Sequence, residues 1–88
     1  MFKWLNKQGV ESDEGFVVQF TGRFTAEYRE RGKSIEVAVE DGGGGAKPAL
    51  VYSRSSFGHL PEPDKERVIR NFRAALVFQG LEPLESAI

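Results

Sequence analysis

The sequence predicts an α+β fold, an antiparallel β-sheet of about four strands packed by one C-terminal amphipathic α-helix. Three observations carry this. From Phe16 the apolar residues recur every second position, a half-buried strand pattern. Ser34-Ile35-Glu36-Val37-Ala38-Val39-Glu40 repeats it in a second unit. Between Asp64 and Gly80 the period lengthens, with Val68, Ile69, Phe72, Ala75 and Leu76 forming one continuous helical stripe. The 88 residues fit a single domain, 1–88, with one modest core.

The first ten residues mix Phe2, Trp4 and Leu5 with Lys3 and Lys7. They suit either a short helical turn or an extended segment laid on the core. Glu11, Asp13 and Glu14 continue as a solvated connection, so residues 1–14 read as loosely ordered. Phe16, Val18, Phe20, Phe24, Ala26 and Tyr28 share one parity. Thr21-Gly22-Arg23 then serves as a turn that sets Phe20 opposite Phe24, or as a bulge in one bent strand. A turn at Arg31-Gly32 pairs Tyr28 with Ile35, Ala26 with Val37, Phe24 with Val39 and Glu30 with Lys33, and it leaves Glu27 facing Glu36.

Residues 41–48, with four consecutive glycines, read as a mobile loop. Ala49–Ser53 is a further strand, and Ser55 to Pro63 crosses towards the helix. Asp64 is the expected N-cap, since Pro61 and Pro63 oppose an earlier start. Gly80 falls where a left-handed C′ residue belongs, with Leu81 folding back on the last turn. Residues 82–88 offer a short strand that Pro83 confines to an edge.

Composition excludes several chemistries. The chain has no cysteine and one histidine, His59, so zinc ligation by sulfur or nitrogen lacks its donors. The acids at 11–14 lack the EF-hand spacing. No metal or cofactor is expected. Gly32-Lys33-Ser34 matches the end of a phosphate-binding loop, but Glu27 stands where the first glycine belongs and no helix follows. Ser53, Ser55 and Ser56 near His59 are the minimal ingredients of an activated hydroxyl, without a nucleophile elbow. A small hydrolase is therefore the least favoured reading, and a protein that is not an enzyme is expected. No apolar run approaches the roughly 18 residues of a membrane span, and no signal-peptide core is present, so the chain is expected to be cytoplasmic.

The candidate binding residues lie on the helix and at the amino terminus. Arg67, Arg70 and Arg73 fall away from the apolar stripe, a basic ridge suited to an acidic protein or to phosphate. Val77 lies opposite the stripe, with Phe78 at its margin. An apolar pair beside arginines suits a contact site, and Trp4 and Phe2 join it if they are not packed down. The net charge of −1 gives no global attraction to nucleic acid. A nucleic-acid-binding domain using the basic helix face, with Tyr52 or Trp4 for stacking, is the alternative to a protein partner.

The order of these features resembles a known family. Phe24-Thr25-Ala26-Glu27-Tyr28-Arg29-Glu30 with Ser34-Ile35-Glu36-Val37-Ala38-Val39-Glu40 is similar to its central hairpin. Leu50-Val51-Tyr52-Ser53 is similar to its next strand, and Glu66 to Gly80 to its closing helix. The family is immunity protein family seventy-four, a small α+β group predicted to be immunity proteins of bacterial toxin systems. The resemblance spans residues 16 to 85 and brings no functional residues with it. It implies a protein that binds a toxin and performs no chemistry of its own.

Overall fold

The computed structural model describes residues 1–43 and 48–86. Seven strands run β1 (Phe2–Asn6), β2 (Gly9–Ser12), β3 (Phe16–Gly22), β4 (Thr25–Glu30), β5 (Lys33–Asp41), β6 (Ala49–Ser53) and β7 (Glu82–Ser86). A 3₁₀ turn, Arg54–Phe57, and one helix, α1 (Glu62–Phe78), separate the last two strands. The α+β class with one C-terminal helix is as the sequence implies. The sheet has seven strands in sequential order rather than about four.

Part of the excess comes from residues 1–14, which are two paired strands rather than a loose segment. β2 docks on β3 with Val10 opposite Val18, and both side chains are fully buried. Four residues are too few for a visible period, so tertiary packing decides this strand.

The hairpin of β4 and β5 has the expected register, with Tyr28 opposite Ile35, Ala26 opposite Val37, Glu27 opposite Glu36 and Glu30 opposite Lys33. Its two-residue turn, Arg31-Gly32, has positive φ at both positions, 52° and 78°. This is the mirror-image turn whose twist suits a hairpin. Between β3 and β4 the expectation fails. Phe20 pairs with Ala26, not Phe24, and a bulge at Thr21 brings Gly22 opposite Thr25. The displacement is two residues, so every side chain keeps its face. Phe24 moves into the turn, where it is 60% exposed.

β5 pairs with β4 over its first six residues and with β6 from Val39 to Asp41, so the sheet turns at this strand. At the changeover the Ala38 N–H donates to Ser56 Oγ at 3.1 Å. Of the glycine-rich loop expected at 41–48, residues 44–47 lie outside the described residues, as do the last two residues, 87 and 88, of the expected edge strand. β7 lies parallel to β6, because the intervening helix returns the chain to the same end of the sheet.

The helix begins at Glu62 with Pro61 as N-cap, so Asp64 lies in the first turn. Pro63 is accommodated because first-turn N–H groups have no intrahelical acceptor to lose. The expected stripe is the buried one: Val68, Ile69, Phe72, Ala75 and Leu76. Phe72 meets Tyr52 and Phe57 edge-on, with ring centroids 5.5 and 5.7 Å away. Gly80, at φ 84°, ends the helix. Its N–H donates to Val77 O at 3.0 Å, and Leu81 N–H donates to Leu76 O at 3.0 Å, a Schellman arrangement.

Candidate functional site

The helix is tied to the sheet along both flanks, and these ties divide the three arginines. On the β4 side the Tyr28 hydroxyl donates to Glu30 Oε1 at 2.6 Å and accepts from Asn71 Nδ2 at 3.1 Å. Arg67 donates to the same Glu30 oxygen at 2.6 Å and lies 3.6 Å from Asp64. Arg67 holds the Glu30 carboxyl below its ordinary range, helped by the Tyr28 hydroxyl, while partial burial opposes the shift. Tyr28 is only 1% exposed. Burial, and next the bond to Glu30, push its phenol up to about 12.

On the other flank Arg73 donates to the Tyr52 hydroxyl at 2.8 Å, with its guanidinium 5.7 Å from that ring's centroid. The Tyr52 hydroxyl donates to Glu85 Oε1 at 3.1 Å. Burial raises the Tyr52 phenol above its usual value. Arg54 reaches Glu66 at 2.7 Å and Glu85 at 3.3 Å. Arg67, Arg70 and Arg73 therefore do not form one ridge. Arg67 belongs to the β4 flank and Arg73 to the β6 flank. Arg70 is exposed between them and makes no ion pair among the described residues.

The other candidates come together. Phe2 and Trp4 alternate on one face of β1. The Phe78 ring lies 5.5 Å from Phe2 and 6.0 Å from Trp4. Phe2 also turns its edge to Phe16 at 5.6 Å, which anchors the group to the core. Trp4 is 53% exposed, Val77 52% and Phe78 42%. Arg70, Ala74, Val77 and Phe78 follow at i, i+4, i+7 and i+8, so they share the outer face of α1. The result is one continuous patch: Arg70 at one end, Ala74 and Val77 in the middle, Phe78 and Trp4 at the other end. Ala74 is marked in the sequence only by its spacing, because a small side chain gives no hydrophobic signal of its own.

The remaining sequence candidates are not assembled. Ser53 and Ser55 share a hydrogen bond at 2.7 Å, and Ser56 accepts from Ala38. His59 is exposed with no hydrogen bond among the described residues. Glu11 pairs with Lys3 at 3.4 Å, and Asp13 with the amino terminus at 2.6 Å. The described residues hold no cluster of three or more metal-binding side chains, and none of their helices is long and apolar enough to cross a membrane. Comparison with protein-family models, with curated proteins and with solved structures gave no match.

Proposed function

We propose that this chain is a cytoplasmic protein-binding module whose contact surface is the patch of Arg70, Ala74, Val77, Phe78 and Trp4. The observation that carries the reading is the continuity of that patch. Trp, Arg and Phe are the residue types that dominate protein interfaces. Here two aromatic rings stand half-exposed against each other beside an arginine with no ion-pair partner among the described residues. The partner that fits is apolar at its centre and acidic where it meets Arg70. The likeness of residues 16 to 85 to a family of immunity proteins supports a toxin as that partner, neutralised by being covered rather than by chemistry.

The test is capture from bacterial lysate on immobilised protein, with nuclease and a high-salt wash. Wild type should retain one stoichiometric protein. Val77→Asp and Arg70→Glu should each weaken its binding by roughly thirtyfold, the effect of losing a hot spot of about 2 kcal/mol. Phe24→Asp, an exposed apolar position elsewhere, should change nothing. Equal capture by all four proteins, or retention only of nuclease-sensitive nucleic acid, refutes the reading.

A further inference from the structure

On the β6 flank of α1 a surface cavity of about 330 Å³ is lined by Arg54, Glu66, Ile69, Arg70, Arg73 and Glu85. Its charges are unevenly matched. Arg54 takes both carboxylates, Glu66 at 2.7 Å and Glu85 at 3.3 Å. Arg73 gives one N–H to the Tyr52 hydroxyl at 2.8 Å, a neutral acceptor. Arg70, reaching in from the crest of the helix, gives none. Among the described residues neither Arg70 nor Arg73 has an ion-pair partner. They stand at i and i+3, so they are neighbours on the helix surface, where like charges repel. An anion set between them removes that cost.

The kind of anion follows from the charge and the lining. Three arginines and two glutamates leave one positive charge in excess. A carboxylate balances it, whereas a phosphate dianion overshoots it by one. The single apolar residue of the lining is Ile69, only 4% exposed. The cavity therefore holds a ligand by its charge and offers little grip on an apolar body, unlike the usual small-molecule pocket. A free acid would be held by its carboxylate alone. An acidic side chain of a protein already docked on Val77, Phe78 and Trp4 draws the rest of its binding energy from that contact. Arg70 belongs to both places, so the patch and the cavity are continuous.

We propose that this cavity receives the carboxylate of an Asp or Glu side chain of the protein partner, clamped between Arg70 and Arg73. The inference rests on the binding role above and adds Arg73 to it. One carboxylate oxygen accepts from each guanidinium, the charge-assisted geometry that arginine's planar fork suits.

The site can be tested without the partner. In a low-chloride buffer at constant ionic strength, acetate is titrated against the isotope-labelled full chain, and the arginine Nε–H signals are followed by NMR. Arg70 and Arg73 should shift together and saturate, with half-saturation at about 10 mM, the scale that two charge-assisted hydrogen bonds supply. Arg23, an exposed arginine in the β3–β4 turn, should not saturate. Arg70→Gln and Arg73→Gln should each abolish saturation at the arginine that remains; the glutamine at 73 can still donate to the Tyr52 hydroxyl, and position 70 is exposed, so the fold is kept. Sulfate, a dianion with the shape of phosphate, should bind no more tightly than acetate. No saturation, saturation that survives both substitutions, equal saturation at Arg23, or sulfate binding tenfold tighter than acetate overturns the proposal. Once a partner is captured, Arg73→Glu should weaken it about as much as Arg70→Glu does. Acetate saturation with no captured protein would sink the binding role alone, and a captured protein sensitive to Arg70→Glu without acetate saturation would sink the carboxylate site alone.

Discussion

Alkaline titration probes the contact between helix and sheet most directly, because the chain has only two tyrosines and both are built into the flanks of α1. The Tyr28 phenol ionises at about 12 rather than at the ordinary 10.0. Its ring is buried, and its proton is donated to a carboxylate 2.6 Å away, so the phenolate would face Glu30 with no proton between them. Asn71 and Arg67 favour the phenolate, but by less. Because the folded value lies above the unfolded one, the stabilisation is fully present below pH 10. It declines as pH rises from 10 to 12 and is gone above that. Two units correspond to about 3 kcal/mol. The assay pairs phenolate absorbance of the native protein with denaturant unfolding from pH 8 to 12, comparing wild type with Tyr28→Phe. Lysines titrate in the same range, so the difference between the two proteins is the quantity to follow. Wild type should lose about 2 kcal/mol more than the variant over that window, since half of the native phenol still holds its proton at pH 12. Its native absorbance should lag the denatured curve for both tyrosines, since the Tyr52 phenol is raised as well. A native phenol ionising near 10 at position 28, or parallel stability curves for the two proteins, would refute the reasoning.

Glu30→Gln should destabilise the protein at neutral pH, and the gap to wild type should narrow in acid. The native Glu30 carboxyl titrates below its unfolded value, so its contribution is present above the unfolded value and lost as pH falls through the folded one; unfolding at pH 7 and at pH 3 measures it. Phe72→Ala should cost about 3–5 kcal/mol, because the ring is fully buried and leaves a cavity against Tyr52 and Phe57. A thermal melt like that of wild type would remove Phe72 from the core.

The legible part of the fold was the part whose signal is local and repeated. Five apolar residues at helical spacing fix the buried face of α1, since no other arrangement buries all five. Alternation in β4 and β5, with a turn residue that tolerates positive φ, fixes their register for the same reason. The β3–β4 register differs from the expected one by two residues, because parity is blind to an even displacement. Placing Phe24 inward or in the turn leaves every other side chain on the same face. Hydrophobicity favoured the former, while the bulge at Thr21 produced the latter. The helix starts two residues before the expected N-cap, Asp64, because a first turn tolerates the proline that would break a helix interior.

The candidate site was legible residue by residue but not as a surface. Val77 and Phe78 stand out in sequence as apolar positions off the helical stripe, and Trp4 as a large ring in a short segment. Their meeting depends on β1, which pairs with β2, and β2 is held by Val10 packed opposite Val18 of β3, a contact between strands that no local period announces. The arginines show the converse. Their spacing alone gives one ridge, yet a helix lying across a sheet has two flanks, and each flank carries an acceptor. Glu30 draws Arg67 to one side and the Tyr52 hydroxyl draws Arg73 to the other, which leaves Arg70 alone on the crest. A cation isolated in that way, in line with Val77 and a half-exposed aromatic pair, has the composition of a protein contact more than that of a phosphate track, which needs several cations along one line.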